Sequence, residues 1–132
     1  MRRVLQPKGW PRPKGYANGV SAEGRMVFTA GVVGWNAKEE FVEETLAGQF
    51  RQALSNIKAI LKEGGARPEH IVRMTCYVSS CTEYSSSLTE IGAAWRDIFG
   101  KVFPCMSVIE VSRFVEPKAK IEIETTAVVP HE

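Results

Sequence analysis

The sequence predicts an α+β fold: a β-sheet with two helices packed on one face. Three observations carry this. Between Val42 and Glu63 apolar residues recur at steps of three and four, which gathers them on one face of a helix. In KIEIETTAV, Lys120 to Val128, apolar and polar residues alternate, the pattern of a strand buried on one side. The elements follow in the order strand, strand, helix, strand, helix, strand, strand, and two amphipathic helices must lie on the sheet while covering only one of its faces.

Taken in order, Pro7, Pro11 and Pro13 make residues 1–14 an extended, irregular arm rather than a helix. YANGVSAEGRMVFTAG then reads as a hairpin. Val20 closes its first strand, Ala22 to Gly24 turn, and Met26 to Ala30 form the second strand, which ends at Gly31. Asn18-Gly19 is an alternative turn. The long helix carries Leu46, Phe50, Ala53, Leu54, Ile57, Ile60 and Leu61 on one face, with Glu43 and Glu44 near its start, Lys58 and Lys62 near its end, and GGARP as its stop. A β-branched and aromatic run, Ile71 to Val78, is the next strand. It sends Val72, Met74, Cys76 and Val78 to one side and Ile71, Arg73, Thr75 and Tyr77 to the other.

A second helix runs from about Thr82 to Phe99, with Leu88, Ile91, Trp95 and Ile98 at helical spacing and Gly100 after it. Its stripe reads as core. Ser107 to Val111 and Lys120 to Val128 are the closing strands. Whichever face the helices cover, the Ile71 to Val78 strand leaves apolar groups on the other, so a homo-oligomer packed sheet to sheet is expected. Glu122 then lies at a subunit junction, where a buried carboxylate needs a partner or a purpose.

Composition narrows the function. A chain of 132 residues fits one domain, residues 1–132, able to bury roughly two-thirds of its unfolded surface. The 17 basic and 15 acidic residues are scattered, for a net charge of +2, so no basic stripe points to nucleic acid. MRRVLQPKGWPRPKGY holds no apolar core of a signal peptide or span, so a cytoplasmic protein without membrane contact is expected. Cys76, Cys81 and Cys105 lie 5 and 24 residues apart, which matches no zinc pattern, so no metal site is expected. A cysteine nucleophile would need His70 or His131 as its base, and a free cysteine is more often a small buried hydrophobe.

KGYANGV, VFTAG, GQFRQALSNIKAILKEGGARPEHIVRMTCYV, FPCMSVIEV and KIEIETTAV follow in the order and spacing of the Rid family, the reactive intermediate deaminases also called YjgF or endoribonuclease L-PSP proteins. The resemblance runs from about Gly15 to Val128. It implies a YjgF or chorismate-mutase-like fold, a mixed β-sheet with two helices packed on one face, a homotrimer with ligand clefts between subunits, and hydrolysis of imines and enamines made from amino acids to keto acids and ammonia, without metal or cofactor. Carried over residue by residue, it implies Glu122 as the group that handles water, Tyr16, Gly31 and Ser107 in the cleft, and Cys105 and Met106 on the cleft strand.

Met106 stands where the resemblance leads one to expect an arginine that clamps the substrate carboxylate. Two charge-assisted hydrogen bonds of roughly 1.5 to 3 kcal/mol each would be lost with it. Arg113, Arg73 and Arg25 are the candidate replacements, each also readable as a solvated surface residue. Trp35 can stack on a conjugated substrate or anchor an interface. The readings are therefore an imine hydrolase with an atypical substrate, an aminomuconate-type deaminase among them, or a non-catalytic binding or regulatory protein that has lost the clamp. The ribonuclease label finds no basic stripe, aromatic platform or histidine pair to support it.

Overall fold

The computed structural model describes residues 2–132. Its main sheet contains β3 (Arg25–Phe28), β4 (Val32–Val33), β5 (Ile71–Val78), β6 (Cys105–Glu110) and β7 (Ile121–Val129), after a separate ribbon of β1 (Arg2–Leu5) and β2 (Gly19–Ala22). The main strands lie in the order β3, β7, β5, β6, with β4 also on β7. β5 and β6 are parallel and the remaining pairs antiparallel, so the sheet is mixed as expected.

The helices α1 (Leu46–Glu63), α2 (Cys81–Ser86) and α3 (Leu88–Ile98) share one side of this sheet. Phe50, Leu54, Ile57 and Leu61 of α1 meet Ile71, Met74, Cys76 and Val78 of β5, Ile121 and Ile123 of β7, and Ile91 and Trp95 of α3 in one core. Gln49 and Thr125 are the polar residues buried with it among the described residues, and Gln49 is the one that ties elements together. Its Nε2 donates to the carbonyls of Glu43 (3.2 Å) and Lys118 (2.9 Å), and its Oε1 accepts from the Lys120 amide (2.7 Å), which ties the approach to β7 onto α1.

Several boundaries differ from the expectation for identifiable reasons. The hairpin is replaced by two separate pairings: β2 pairs with β1, and β3 pairs with β7. The opening of the chain is extended but not irregular, because Arg2 to Leu5 find strand partners ahead of the first proline. The long helix starts at Leu46, since Thr45 caps it by accepting from the Gly48 amide (3.0 Å); Glu43 and Glu44 precede the first turn. The second helix is two helices. Ser86 and Ser87 turn their hydroxyls back onto the Thr82 and Glu83 carbonyls (both 2.8 Å), and Ser87 ends α2 and caps α3.

The open face also differs. A register shift between Ile71 and Arg73 swings Ile71 to the helix side with Met74, Cys76 and Val78, leaving Arg73, Thr75 and Tyr77 on the other. β5 is therefore polar on its open side. The exposed apolar groups there come from flanking strands instead: Met26 and Phe28 on β3, and Ile109 on β6.

Candidate functional site

The residues singled out from the sequence gather around Glu122 on β7 and around Met106 on β6, whose side chains lie on opposite faces of the sheet. The first group centres on Glu122. Alternation along β7 buries Ile121 and Ile123 in the core and turns Glu122 and Glu124 to the open face. Opposite Glu122, the edge formed by β3 and β4 contains a bulge: from Phe28 to Val32 is four residues, while their partners Thr126 and Ile123 are three apart. Gly31 sits in this extra length, and a Cβ there would come within 2.3 Å of Glu122 Oε2. Only glycine lets the carboxylate lie against the edge strand in this way.

Tyr77 is the cross-strand partner of Glu122, but its hydroxyl donates to Glu124 Oε1 at 2.7 Å. That bond, then burial and the charges of Glu124 and Glu122, push the Tyr77 phenol above its usual range, so it remains a neutral donor. Glu124 is thus engaged. Among the described residues no hydrogen bond holds the Glu122 carboxylate. Trp35 packs its ring on Phe41, with centroids 5.6 Å apart, and its carbonyl accepts from Asn56 Nδ2 at 2.7 Å.

The second group surrounds Met106. The Ala17 amide donates to the Pro104 carbonyl (3.0 Å) and Ala17 bridges to Cys105, which docks the Tyr16 segment at the start of β6. Pairing with Met74 sets Met106 on the helix side, where its Sδ lies 3.8 Å from the Cys76 Sγ. There Tyr16 and Met106 line a cavity of about 600 Å³ between β6 and α3. Period-two alternation sends Cys105 and Ser107 the opposite way, into a hollow of about 280 Å³ beside Arg73, which Tyr16 and Met106 also border. The cleft strand thus serves two faces rather than one.

The cavity walls were not legible as a site. Leu88, Ile91 and Trp95 read as core from their spacing, and Ile91 and Trp95 are indeed buried there, yet with Tyr84, Phe103 and the 57% exposed Leu88 they also enclose this space. The sequence offered no signal for this, since Leu88 has the same spacing as its buried neighbours and only the structure shows it exposed. Burial pushes the Tyr84 phenol up to about 12, which keeps its hydroxyl protonated.

None of Arg25, Arg73 and Arg113 lines the cavity. Arg25 donates to the Gly64 carbonyl at the end of α1 (2.8 Å), Arg73 borders the Ser107 hollow, and Arg113 lies in the segment between β6 and β7. Lys14, Arg96 and Lys101 are the cations on the cavity lining, and no carboxylate accompanies them. Cys76 is fully buried with its thiol pushed up to about 12, so it is an inert core group rather than a nucleophile. Among the described residues, no three of His, Cys, Asp and Glu are placed to hold a metal, and no helix is long and apolar enough to cross a membrane.

Residues 11–129 match the model of the Endoribonuclease L-PSP family. The chain is 35% identical to the 2-iminobutanoate/2-iminopropanoate deaminase of Escherichia coli K12, over 97% of this chain and 98% of the relative. Among solved structures, YyfB from Yersinia pestis, described as a protein of unknown function of the conserved Rid protein family, superposes with a TM-score of 0.85 at 34% identity, covering 97% of this chain and 98% of that one. The E. coli YjgF gene product superposes with a TM-score of 0.70 at 31% identity, covering 96% and 98%.

Proposed function

The chain belongs to the endoribonuclease L-PSP family, that of the Rid and YjgF proteins, and from that membership we propose that it hydrolyses small-molecule imines and enamines, releasing ammonia. The observation that carries this is the Glu122 carboxylate, set on the open sheet face against a glycine bulge and held by no hydrogen bond among the described residues. Such a group can accept a proton from water while the water oxygen bonds to the imine carbon, and return a proton to nitrogen as the C–N bond breaks. The balance is R₂C=NH + H₂O → R₂C=O + NH₃. No redox partner is required.

Glu122 and Met106 are on opposite faces of one sheet with β5 between their strands, so a single chain does not bring them together. A site using both takes one group from each of two copies. This supports the homotrimer with clefts between subunits that the family resemblance implies, with Met26, Phe28 and Ile109 covered on assembly. In that cleft Gly31 and Glu122 act on the reacting carbon and water, while Tyr16 and Met106 contact the bound molecule. Met106 replaces an arginine clamp, so the carboxylate of an amino-acid-derived imine is held elsewhere than on β6. An aminomuconate-type acid fits the reaction class, but one of its two carboxylates would then lie against Met106.

Ammonia release from freshly generated imines tests the reading. General acid–base catalysis contributes about 10² to 10⁴-fold, so Glu122→Gln should lower kcat about 10³-fold with the fold unchanged by circular dichroism. Unchanged turnover in Glu122→Gln, or no acceleration of any imine by the wild type, would overturn it.

A further inference from the structure

The cavity between α3 and β6 has an apolar interior and a cationic lining without acids. Met106, Val108, Ile91 and Trp95 form the inner wall, whereas Lys14, Arg96 and Lys101 are exposed. Trp95 is fixed there, because its indole N–H donates to the Val102 carbonyl (2.9 Å) and its ring meets Phe99 edge-on at 4.9 Å. Its hydrogen-bonding capacity is spent within the protein, and it presents ring surface only. About 600 Å³ is the size of a drug-sized ligand site.

We propose that this cavity selects imino acids with a large apolar side chain, aromatic or long aliphatic, bound tail inward and carboxylate outward toward Lys14, Arg96 and Lys101. The inference rests on the imine-hydrolase reading for its reactive group and on the cavity alone for its selectivity. The orientation is chemically consistent. In a 2-imino acid the C=N carbon is bonded directly to the carboxylate carbon, so holding the carboxylate at the mouth also keeps the reacting carbon there. The tail alone enters the space beside Met106, where a methyl group would leave most of the volume unfilled and gain little from burial.

The test uses the intact protein and three imines made in situ by oxidising the parent amines: 2-imino-3-phenylpropanoate, 2-iminopropanoate, and the carboxylate-free imine of 2-phenylethylamine. Acceleration over spontaneous hydrolysis should favour the phenyl imino acid over the methyl one by about 10-fold or more in kcat/KM. Adding a side chain inside the cavity with Gly92→Leu should abolish that preference. A Cβ at this helical position meets only the Arg96 Nη1, at 3.3 Å, so the variant is expected to fold. Lys14→Glu combined with Lys101→Glu should lower the rate on the phenyl imino acid about fivefold more than on the carboxylate-free imine. A methyl imino acid turned over as well as the phenyl one, or a preference untouched by Gly92→Leu, would overturn the proposal.

Calorimetric titration with 3-phenylpyruvate and pyruvate separates the two readings. If no imine is accelerated while 3-phenylpyruvate binds about 10-fold or more tightly than pyruvate, the hydrolase reading fails and the selectivity stands. If 3-phenylpyruvate binds no more tightly, the selectivity fails whatever the kinetics show.

Discussion

The Glu122 side of the sheet and the cavity beneath α3 lie on one framework, but strand alternation makes the first and a space between helix and strand makes the second. On the Glu122 side every functional group is placed by period-two geometry and one bulge: Glu122 and Glu124 face out because Ile121 and Ile123 face in. Beneath α3 nothing is so strictly specified. Leu88, Ile91, Trp95 and Met106 enclose a volume that depends on how far the helix stands from the edge strand. The polar half of the site is accordingly expected to tolerate few changes, and the apolar half to set selectivity by volume.

Gly31 is the sharpest place to break this contrast. In Gly31→Ala the new Cβ would meet Glu122 Oε2 at 2.3 Å and Cδ at 2.9 Å, so the carboxylate must turn aside. The displaced atoms are the far end of a flexible side chain, and stability should fall by less than about 1 kcal/mol. Turnover should nevertheless fall about 100-fold, since a displacement of an ångström at a reacting group costs that much. Full activity in Gly31→Ala would mean that the Glu122 position seen here is not the working one. The corresponding change across the sheet, Met106→Leu, conserves apolar character and approximate volume, and should change kcat by less than about threefold.

Gln49 extends the contrast from activity to stability. Its three hydrogen bonds hold the approach to β7, and thereby the strand that carries Glu122, on α1. Gln49→Leu keeps the volume but leaves the Lys120 amide and the carbonyls of Glu43 and Lys118 without this partner. A loss of about 2 kcal/mol is expected, read as a fall in the urea midpoint at unchanged m-value. A neutral effect would show that water readily replaces the amide, and that the strand's position does not depend on it.

The same contrast explains what could be read from the sequence. The bounds of β5 were legible to the residue, though not the side that Ile71 takes, and those of β7 nearly so, because apolar content and alternation are local signals; Glu122 followed from alternation as a residue facing away from the core. β4 was missed because two residues, Val32 and Val33, carry no periodicity of their own and are a strand only through pairing with β7. The break at Ser87 was missed because Leu88, Ile91 and Trp95 keep their helical spacing across it, while the interruption comes from serine hydroxyls turning back on the chain. The cavity was missed for a further reason. Whether Leu88, Ile91 and Trp95 meet their neighbours or leave room is a property of two elements together, and neither sequence segment contains it.

Glu83 gives the smallest effect and joins the two halves. It stands on α2, next in the chain to the cavity-lining Tyr84, and its Oε2 accepts from the Leu46 amide at the start of α1 (3.1 Å). Its carboxylate also meets Lys120 Nζ at 3.1 Å, immediately before β7. The Leu46 amide, then the Lys120 ammonium, hold the Glu83 carboxyl below its ordinary value of 4.5 against an opposing contribution from burial. Because the folded form binds this proton less readily than the unfolded chain, the contribution is complete above the ordinary value and is lost as pH falls through the lower folded one. Glu83→Gln should therefore lower stability slightly at pH 7, by less than about 1 kcal/mol for a pair that solvent still reaches. The difference from wild type should shrink below pH 4.5, where the wild-type carboxyl is gaining its own proton. Urea unfolding of both proteins from pH 7 to pH 3 measures it. A constant offset across that range would mean that Glu83 acts through the neutral hydrogen bond to the Leu46 amide, which glutamine can only partly replace, and not through its charge.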